Sequence, residues 1–457
     1  MQAFAALFLV DSSFWGAYTD IKKNHKGAIA LKNPTESELF QLSERAKRLS
    51  SRLPEFSYGG DGRLSLRSRI LFESYVEDIL RENRTVGACI VLRSPSGQHE
   101  TFCFGNARLH PAVPVEPETC FRVASVSKLV MTFGALSLVE SGQLSLDKDL
   151  SAYLGYPVRN PHAPDCPVTL RMLLTHSAAI RDEGNYGSRG MQSGCTLREL
   201  LSAPENWLPS RPGESFHYSN LGAGVAGVVM ERAVGMPFDD IMRQRVFEPP
   251  SIRASYDPRR ISPASDIANG YGVRFFLPRL KYDAAKLAAR PADPFDPERD
   301  YLCAAGRLIT DSDGMAKLLG LLASHGEMGV LSRSSLDLMR MPQDGLGGIG
   351  SIGRGLNVAY LPNVFSGVSP VGHQGVAYGM CAELFADPDT GAGVGVMTSG
   401  TRLLRDTPPL MRVGFDLLTL GFAALRAAHG LCHNFVTMSQ CFFLISTIFS
   451  SKPSPII

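Results

Sequence analysis

The sequence predicts an α+β fold in which one antiparallel sheet is assembled from two distant segments around a helical insert. Two hairpin patterns carry this prediction. In the first, residues 86–92 and 101–104 flank a Ser-Pro-Ser-Gly turn. In the second, residues 379–385 and 393–398 flank an Asp-Pro-Asp-Thr-Gly turn. Because helical patterns fill the chain between the hairpins, strands and helices are expected to segregate.

Three stretches predict the main helices. Residues 67–83 carry apolar side chains at helical spacing. A second helix is expected to begin near Ser125 and to end at Glu140, because glycine commonly follows the end of a helix and Ser-Gly comes next. A last helix is expected over 410–426, and residues 145–345 mix short helical patterns with Pro- and Gly-rich loops.

The chain is expected to have three parts. Residues 1–60 are mixed in pattern and end in two glycines, which indicates an N-terminal extension. Residues 61–427 form the body, with the sheet coming from both of its ends and a helical part over roughly 130–340. Residues 428–457 remain as a C-terminal tail.

Short apolar runs lie near both ends of the chain, at 3–10 and 441–449. A membrane-spanning helix needs about 20 apolar residues, so neither run predicts a transmembrane span. The first run has no preceding Lys or Arg and no small-x-small cleavage site, and it is therefore a poor signal peptide. The sequence favours a cytoplasmic location over export.

The composition excludes several classes of function. The chain of 457 residues contains 46 Lys and Arg and 44 Asp and Glu, which gives a net charge of +2. Because it also contains no basic run, no nucleic-acid partner is expected. The nine cysteines form no C-x-x-C pair, which excludes the common zinc and thioredoxin-type patterns and indicates free thiols, with a pairing of Cys89 and Cys103 across the first hairpin as the alternative. We therefore expect no metal and no cofactor, and no feature of the sequence implies a partner protein.

The first candidate for chemistry is a Ser-x-x-Lys motif formed by Ser125 and Lys128 at the start of the second predicted helix. Residues three apart share a helix face, so the amine can reach the hydroxyl, and a lysine whose pKa is lowered by burial can activate a serine. A second match, Ser145 to Lys148, lies among charged residues in a predicted solvated loop. Taken alone, Ser125 also fits an ordinary helix N-cap.

Two further motifs contain side chains suited to acyl chemistry. Tyr218 and Asn220 lie in a predicted loop, where a phenol can relay protons and an amide can hydrogen-bond a substrate. His373 and Gly375 precede the second hairpin, where glycine allows a substrate to approach a strand closely. Taken singly, the first pair also fits a loop at an interface, and His373 fits a surface histidine.

Taken in order, Ser125-x-x-Lys128, Tyr218-x-Asn220 and His373-x-Gly375 resemble the three motifs of the serine β-lactamase and penicillin-binding-protein superfamily. They most resemble its class C-like branch of D,D-peptidases, D-aminopeptidases and family VIII esterases. Four flanking segments resemble the same branch: TLRMLLTHS at 169–177, RPG at 211–213, VFEP at 246–249 and AGRL at 305–308. The resemblance covers roughly 67–425. It implies a β-lactamase/transpeptidase-like fold, with the site between the sheet domain and a mostly helical domain.

The resemblance also implies roles for individual residues. Ser125 would be the nucleophile that becomes acylated, and Lys128 and Tyr218 would share the proton transfers, with the choice of general base left open. Asn220 would help hold the substrate, and the third motif would supply further substrate-binding residues, namely His373, Gln374, Gly375 and Val376. Backbone N–H groups of Ser125 and Val376 would form the oxyanion hole.

Departures from the resembled motif bear on the substrate. The third motif carries His373 where class C β-lactamases carry lysine, and Gln374 replaces a small hydroxyl residue that contacts a substrate carboxylate. We therefore expect a serine hydrolase that forms an acyl-enzyme with a small-molecule ester or D-amino-acid-type amide, with weak activity on β-lactam-like substrates. The alternative is a non-catalytic, penicillin-binding-like protein that binds the ligand without turnover.

Overall fold

The computed structural model describes residues 36–59, 61–182, 195–274, 277–291, 295–343, 354–365, 368–407 and 409–426. The predicted C-terminal tail and the first 35 residues lie outside these ranges. Within them, no helix is both long and apolar enough to cross a bilayer.

A central sheet organises the described chain. Its strands are β1 (Gly87–Arg93), β2 (His99–Leu109), β3 (Ala112–Pro114), β6 (Gly270–Arg274), β7 (Leu277–Tyr282), β9 (Ala359–Tyr360), β10 (Val371–Ala377), β11 (Met380–Ala386) and β12 (Gly393–Thr401). Seven of these strands follow the order β3-β2-β1-β12-β11-β10-β9. Strand β6 pairs in parallel with β12 and antiparallel with β7. A separate small sheet joins β4 (Phe121–Arg122), β8 (Ile309–Thr310) and β5 (Ala254–Ser255).

The two predicted hairpins meet in the middle of this sheet. Strand β1 pairs antiparallel with β2 on one side and with β12 on the other, so that Cys89 lies opposite Met397. Strand β12 in turn pairs with β11. The predicted α+β arrangement, with one sheet built from both ends of the body, is confirmed.

Helices cover both faces of the sheet. The predicted main helices are confirmed at Leu66–Glu82, Val126–Glu140 and Arg412–Arg426. The described helices are α1 (Glu36–Ser50), α2 (Leu66–Glu82), α3 (Val126–Glu140), α4 (Ser151–Leu154), α5 (Leu170–Leu174), α6 (Leu197–Ser202), α7 (Asn220–Val234), α8 (Phe238–Met242), α9 (Ala284–Ala288), α10 (Cys303–Gly306), α11 (Ser312–Ala323), α12 (Arg333–Arg340) and α13 (Arg412–Arg426), and a π-helical turn, Arg243–Phe247, follows α8.

Alternation along the strands divides the core into two layers. Cys89 and Val91 of β1 face the layer that contains α3 and α11. Ile90 and Leu92 face the layer that contains α1, α2 and α13, where Phe72 of α2 is buried. Helix α1 belongs to the predicted N-terminal extension, yet it packs on the sheet domain through buried Leu42 and Ala46. The division into extension, body and tail itself stays a prediction.

Strand β10 is an element of the site that the sequence analysis did not assign. Its residues 371–377, VGHQGVA, include two glycines, a histidine and a glutamine, and they lack the alternating apolar pattern by which strands are recognised. The strand forms because β11 supplies a partner along its whole length. This placement makes the His373 motif part of the sheet rather than a loop before it.

Truncation of Phe72 tests the second core layer. Its ring is 0% exposed and contacts the rings of Phe56 and Phe102 at centroid distances of 6.3 and 4.7 Å. We expect Phe72→Ala to lower the free energy of unfolding by about 3–5 kcal/mol, because it leaves a cavity. Phe40→Ala, on a side chain that is 67% exposed in α1, should change it by less than about 0.5 kcal/mol. Denaturant unfolding of both variants measures the difference, and equal effects would contradict this packing.

Candidate active site

Ser125 stands at the head of the buried helix α3. The preceding residue, Ala124, has a φ of +47°, and Ser125 occupies the N-cap position. Its side chain makes no capping hydrogen bond with the helix. The hydroxyl instead lies 3.1 Å from the Lys128 amine, one helical turn along. Ser125 is therefore the N-cap residue by position, but its hydroxyl contacts Lys128 and does not cap the helix.

The Lys128 amine is enclosed by three oxygens. Besides Ser125 Oγ, it contacts Asn220 Oδ1 at 2.8 Å and the Ala305 carbonyl oxygen at 2.6 Å. The Asn220 amide has a defined orientation because its nitrogen donates to Asp182 at 2.8 Å, which turns the oxygen toward the lysine. Two of the three neighbours can thus only accept hydrogen bonds from Lys128.

Burial governs the charge of this amine. The side chain is fully buried, and burial lowers the pKa of Lys128 to about 7, with the negative charge of Asp182 opposing the shift. A neutral amine has two N–H donors and one lone pair. Its donors match Asn220 Oδ1 and the Ala305 carbonyl, which leaves the lone pair to accept the Ser125 O–H.

Tyr218 lies against the same pair. Its ring centroid is 5.0 Å from the Lys128 amine nitrogen and 4.4 Å from the His176 ring centroid. Burial raises the pKa of Tyr218, and the Ser125 side chain beside it opposes that rise. Its hydroxyl makes no hydrogen bond of standard geometry to any described residue. It is therefore a protonated phenol at neutral pH with its proton available to a further group.

Asp182 holds the start of α7 and was not identified from the sequence. Its carboxylate accepts from the backbone N–H of Asn220 at 2.8 Å and of Leu221 at 3.2 Å, and from the Ser219 hydroxyl at 2.8 Å. A carboxylate at a helix N-terminus satisfies otherwise unpaired N–H groups and is favoured by the helix dipole. The residue thereby fixes Asn220 in the orientation that Lys128 needs.

Strand β10 forms the opposite wall. Gly375 is pressed against the chain that precedes α3, where an added Cβ would collide with the Val123 carbonyl and lie 2.9 Å from the Ser125 nitrogen. Only glycine permits this approach. His373, on the same face of the strand, is buried, and its ring centroid lies 6.2 Å from that of Tyr218.

His373 is neutral in this environment. Burial, together with the charges of Lys128 and Arg354, lowers the pKa of His373 to about 3. Its Nδ1 lies 2.5 Å from the Gln374 carbonyl oxygen, which can only accept, so Nδ1 carries the proton. The other ring nitrogen, Nε2, has no partner among the described residues and offers a lone pair.

The backbone N–H of Val376 is directed away from β11. A two-residue turn, Tyr378 and Gly379 with φ of +53° and +81°, closes the β10–β11 hairpin, which makes Ala377 and Met380 a hydrogen-bonded pair. By alternation, Val376 opposite Cys381 is a non-hydrogen-bonded pair. On that outer edge β9 pairs with Val371 and Gly372, so none of the described strands covers this edge of Val376.

The side chain of Gln374 does not join the group. Alternate residues of a strand point to opposite faces, and Gln374 points to the face away from Ser125, where its nitrogen donates to Glu383 at 2.5 Å. The predicted substrate contact of the Gln374 side chain is therefore wrong, because the structure places this side chain in the core behind the strand.

Two other residues near Tyr218 were missed. His176 takes a φ of +56° and accepts from the Ser219 N–H through Nδ1 at 3.2 Å, which supports the loop that carries Tyr218. Arg354 is buried with its guanidinium carbon 4.4 Å from the Phe216 ring centroid. The segment at 169–177 gave a signal for His176 through the family resemblance, whereas no motif marked Arg354.

The structure thus brings the three motifs into one group. Around Ser125 lie the amine of Lys128, the phenol of Tyr218, the amide of Asn220 and the bare face of Gly375. The second Ser-x-x-Lys match does not join it, and Lys148 is exposed beside the Tyr153 ring. A serine, a buried amine that loses its charge near neutral pH and converging N–H donors are the components of acyl transfer.

Comparison with known proteins gives the family. A family model described as Beta-lactamase matches residues 72–414, which is more than half of the chain. Esterase EstB of Burkholderia gladioli is 29% identical over 311 residues, covering 62% of this chain and 76% of that protein.

Solved structures show the same fold. The structure of EstCE1, described as a hydrolase with promiscuous acyltransferase activity, superposes with a TM-score of 0.62 at 21% identity, covering 78% of this chain and 98% of that one. The D-amino acid amidase of Ochrobactrum anthropi SV3 superposes with a TM-score of 0.59 at 21% identity, covering 78% and 97%. At these identities the likeness concerns the fold, and the expected β-lactamase/transpeptidase-like fold is confirmed.

The reactivity of Ser125 should follow the charge of Lys128. Since the pKa of Lys128 is about 7, the amine is protonated below that pH and cannot accept the serine proton. We expect fluorophosphonate labelling of Ser125 to rise about tenfold per pH unit below pH 7 and to level off above it. In Lys128→Met the labelling should be lost at every pH. A wild-type labelling rate in that variant would contradict the role given to the amine.

Asp182→Asn tests the support behind Asn220. Asp182→Asn removes a negative charge that raises the pKa of Lys128, so the acid limb of the pH profile of fluorophosphonate labelling should move to lower pH. Loss of acceptors at the start of α7 should also lower the free energy of unfolding by about 1–3 kcal/mol. The matched control is Asp165→Asn, a carboxylate paired with Arg211 and 68% exposed, which should change neither quantity. An unshifted acid limb in Asp182→Asn would exclude the electrostatic link.

Proposed function

Because this chain belongs to the beta-lactamase family, whose members are serine hydrolases, we propose that it hydrolyses small-molecule esters through an acyl-enzyme on Ser125. The observation that carries this proposal is the 3.1 Å contact between Ser125 Oγ and a fully buried Lys128 amine. No metal or cofactor takes part in the steps that follow.

Acylation begins with proton transfer to Lys128. The Ser125 O–H donates to the amine lone pair, and Oγ attacks the substrate carbonyl carbon as the proton moves to nitrogen. Lys128 is the base in this proposal because its pKa lies near neutrality, whereas the raised pKa of Tyr218 keeps the phenol protonated. Asn220 Oδ1 and the Ala305 carbonyl then stabilise the ammonium, since both are acceptors.

Charge that develops on the carbonyl oxygen meets two backbone donors. The Ser125 N–H precedes α3, and the first N–H groups of a helix have no acceptor within it. The Val376 N–H lies on the uncovered edge of β10, and Gly375 brings that strand against Ser125. Each donor of such an oxyanion hole contributes about 3 kcal/mol to transition-state stabilisation in other acyl-transfer enzymes.

Collapse of the tetrahedral intermediate releases the alcohol. Tyr218 is the donor for the leaving oxygen in this proposal, and its phenol regains a proton from the neighbouring Lys128 ammonium. Water then attacks the Ser125 ester by the same proton path in reverse, releasing the acid and restoring the serine.

The third motif supports an ester without a carboxylate beside it. His373 is uncharged at neutral pH, and the side chain of Gln374 faces away from Ser125, so neither provides a positive charge or a hydroxyl there. The similarity to an esterase over 62% of the chain agrees with this choice. Amides of D-amino acids are the second candidate, because the Nε2 lone pair of His373 can accept from a substrate N–H.

Separate substitution of the two serines of the Ser-x-x-Lys matches tests the proposal. Wild type should hydrolyse p-nitrophenyl butyrate with turnover, and Ser125→Ala should lower kcat/KM by about 10³-fold or more because it removes the hydroxyl that Lys128 activates. The matched control is Ser145→Ala, which removes the serine of the other Ser-x-x-Lys match and should leave kcat/KM unchanged.

Further substrates separate the alternatives. D-alanine p-nitroanilide measures the amidase activity, and nitrocefin measures β-lactam hydrolysis, which we expect to be weak. Labelling of Ser125 by a fluorophosphonate without turnover of any of these substrates would favour a ligand-binding protein. No labelling of the folded wild type would overturn the assignment of the nucleophile.

A further inference from the structure

A buried acid–amide pair lies behind the strand that carries the oxyanion donor. Gln374 of β10 and Glu383 of β11 are directly opposite each other, and both are buried. They form a non-hydrogen-bonded backbone pair, in which side chains approach most closely. Helix α13 closes the site from water at Gly414, where an added Cβ would collide with Glu383 Oε1.

One hydrogen bond of this pair is evident, and a second one is implied. Gln374 Nε2 donates to Glu383 Oε1 at 2.5 Å. The remaining oxygens, Gln374 Oε1 and Glu383 Oε2, are buried and have no hydrogen-bond partner among the described residues. Burying two unpaired acceptors lowers the stability of the fold. A proton on Glu383 Oε2 would make this oxygen a donor, and Gln374 Oε1 would accept its hydrogen bond.

We propose that Glu383 is held as a neutral carboxylic acid, joined to the Gln374 carboxamide by two parallel hydrogen bonds, and that this pair positions β10 against Ser125. A carboxylic acid presents one donor and one acceptor, and one edge of a carboxamide presents an N–H donor and the carbonyl acceptor at matching spacing. Burial raises the pKa of Glu383 to about 8, in the direction that this pairing requires.

Among the described residues, few groups around Glu383 could stabilise a carboxylate. From β11 the Cys381 thiol lies 3.5 Å from Oε1, from β12 the register partner is Val396, and from α13 the contact is Gly414. The charged groups of α13 near this point are engaged elsewhere, since Arg412 pairs with Asp406 and Asp416 with Arg45.

The pair acts on the reaction through the strand. Gln374 lies between His373 and Gly375, and Val376 follows, so a shift of Gln374 moves the wall of the site and the oxyanion donor together. Ionisation of Glu383 would set a carboxylate oxygen against Gln374 Oε1 and break the second hydrogen bond. Glu383 is in this sense a positioning residue, and its effect on rate rests on the proposed function.

Stability gives a test that does not depend on activity. The folded pKa of about 8 exceeds the ordinary value of 4.5, so the contribution of Glu383 is fully present below pH 4.5 and is lost as pH rises through 8. We expect the unfolding constant of wild type, relative to Glu383→Gln, to rise about tenfold per pH unit between pH 5.5 and 7.5. Identical pH dependence in the two proteins would overturn the neutral acid.

The pH profile of hydrolysis tests the positioning role. With p-nitrophenyl butyrate, wild type should lose kcat by up to about tenfold per pH unit above pH 8, whereas Glu383→Gln should keep its kcat because its amide cannot ionise. The matched control is Glu231→Gln, a half-buried carboxyl with a pKa raised by burial to about 7, which accepts from the Phe238 N–H away from β10. It should keep the wild-type alkaline limb. If Glu383→Gln also keeps that limb, the positioning role is wrong.

Infrared spectroscopy of the wild-type chain covers the case in which Glu383→Gln does not fold. A protonated carboxyl band that disappears through pH 8, and that persists in Glu231→Gln, supports the proposal; its absence contradicts it. If wild type is not labelled by a fluorophosphonate at any pH, the proposed function fails, while the unfolding and infrared measurements still decide whether Glu383 is neutral.

Discussion

The site depends on one amine being kept out of water at the head of an apolar helix. Lys128 is enclosed by Ser125 Oγ, Asn220 Oδ1 and the Ala305 carbonyl, and no carboxylate of the described residues hydrogen-bonds to it directly. Desolvation then outweighs the attraction of Asp182, which acts through Asn220, and the pKa of Lys128 settles near 7. A carboxylate in direct contact would raise that pKa and hold the lysine as a cation, unable to accept the serine proton.

The second constraint is the close approach of β10 to the start of α3. Gly375 makes the approach sterically possible, and the two-residue turn after Ala377 sets which backbone groups remain outside the hairpin ladder. The two faces of this strand then serve different purposes. One face presents His373 to the site, and the other buries Gln374 against Glu383 beneath α13. Chemistry on one face is thereby coupled to packing on the other.

Local signals in the sequence predicted much of this arrangement. The spacing of Ser125 and Lys128 sufficed because a helix places residues three apart on one face, and the apolar residues that follow implied burial of the amine. The hairpins were recognisable from their turn residues. Asp182 and Arg354 were not, because their effect depends on contacts with residues far along the chain, 38 residues away for the contact of Asp182 with Asn220. Strand β10 escaped detection because its partner strand, rather than its own composition, makes it a strand.

By itself the sequence determined the fold class, the family resemblance and the serine and lysine that face each other across one helical turn, because these follow from short-range periodicity and ordered motifs. Only the tertiary structure decided which proton-transfer group can accept a proton near neutral pH, where the amide of Asn220 points and which face of β10 each residue occupies. Those properties arise from desolvation and from hydrogen bonds between distant segments. The reassignment of Gln374 from the substrate side to the core shows the difference, since strand register, not residue type, sets where its side chain lies.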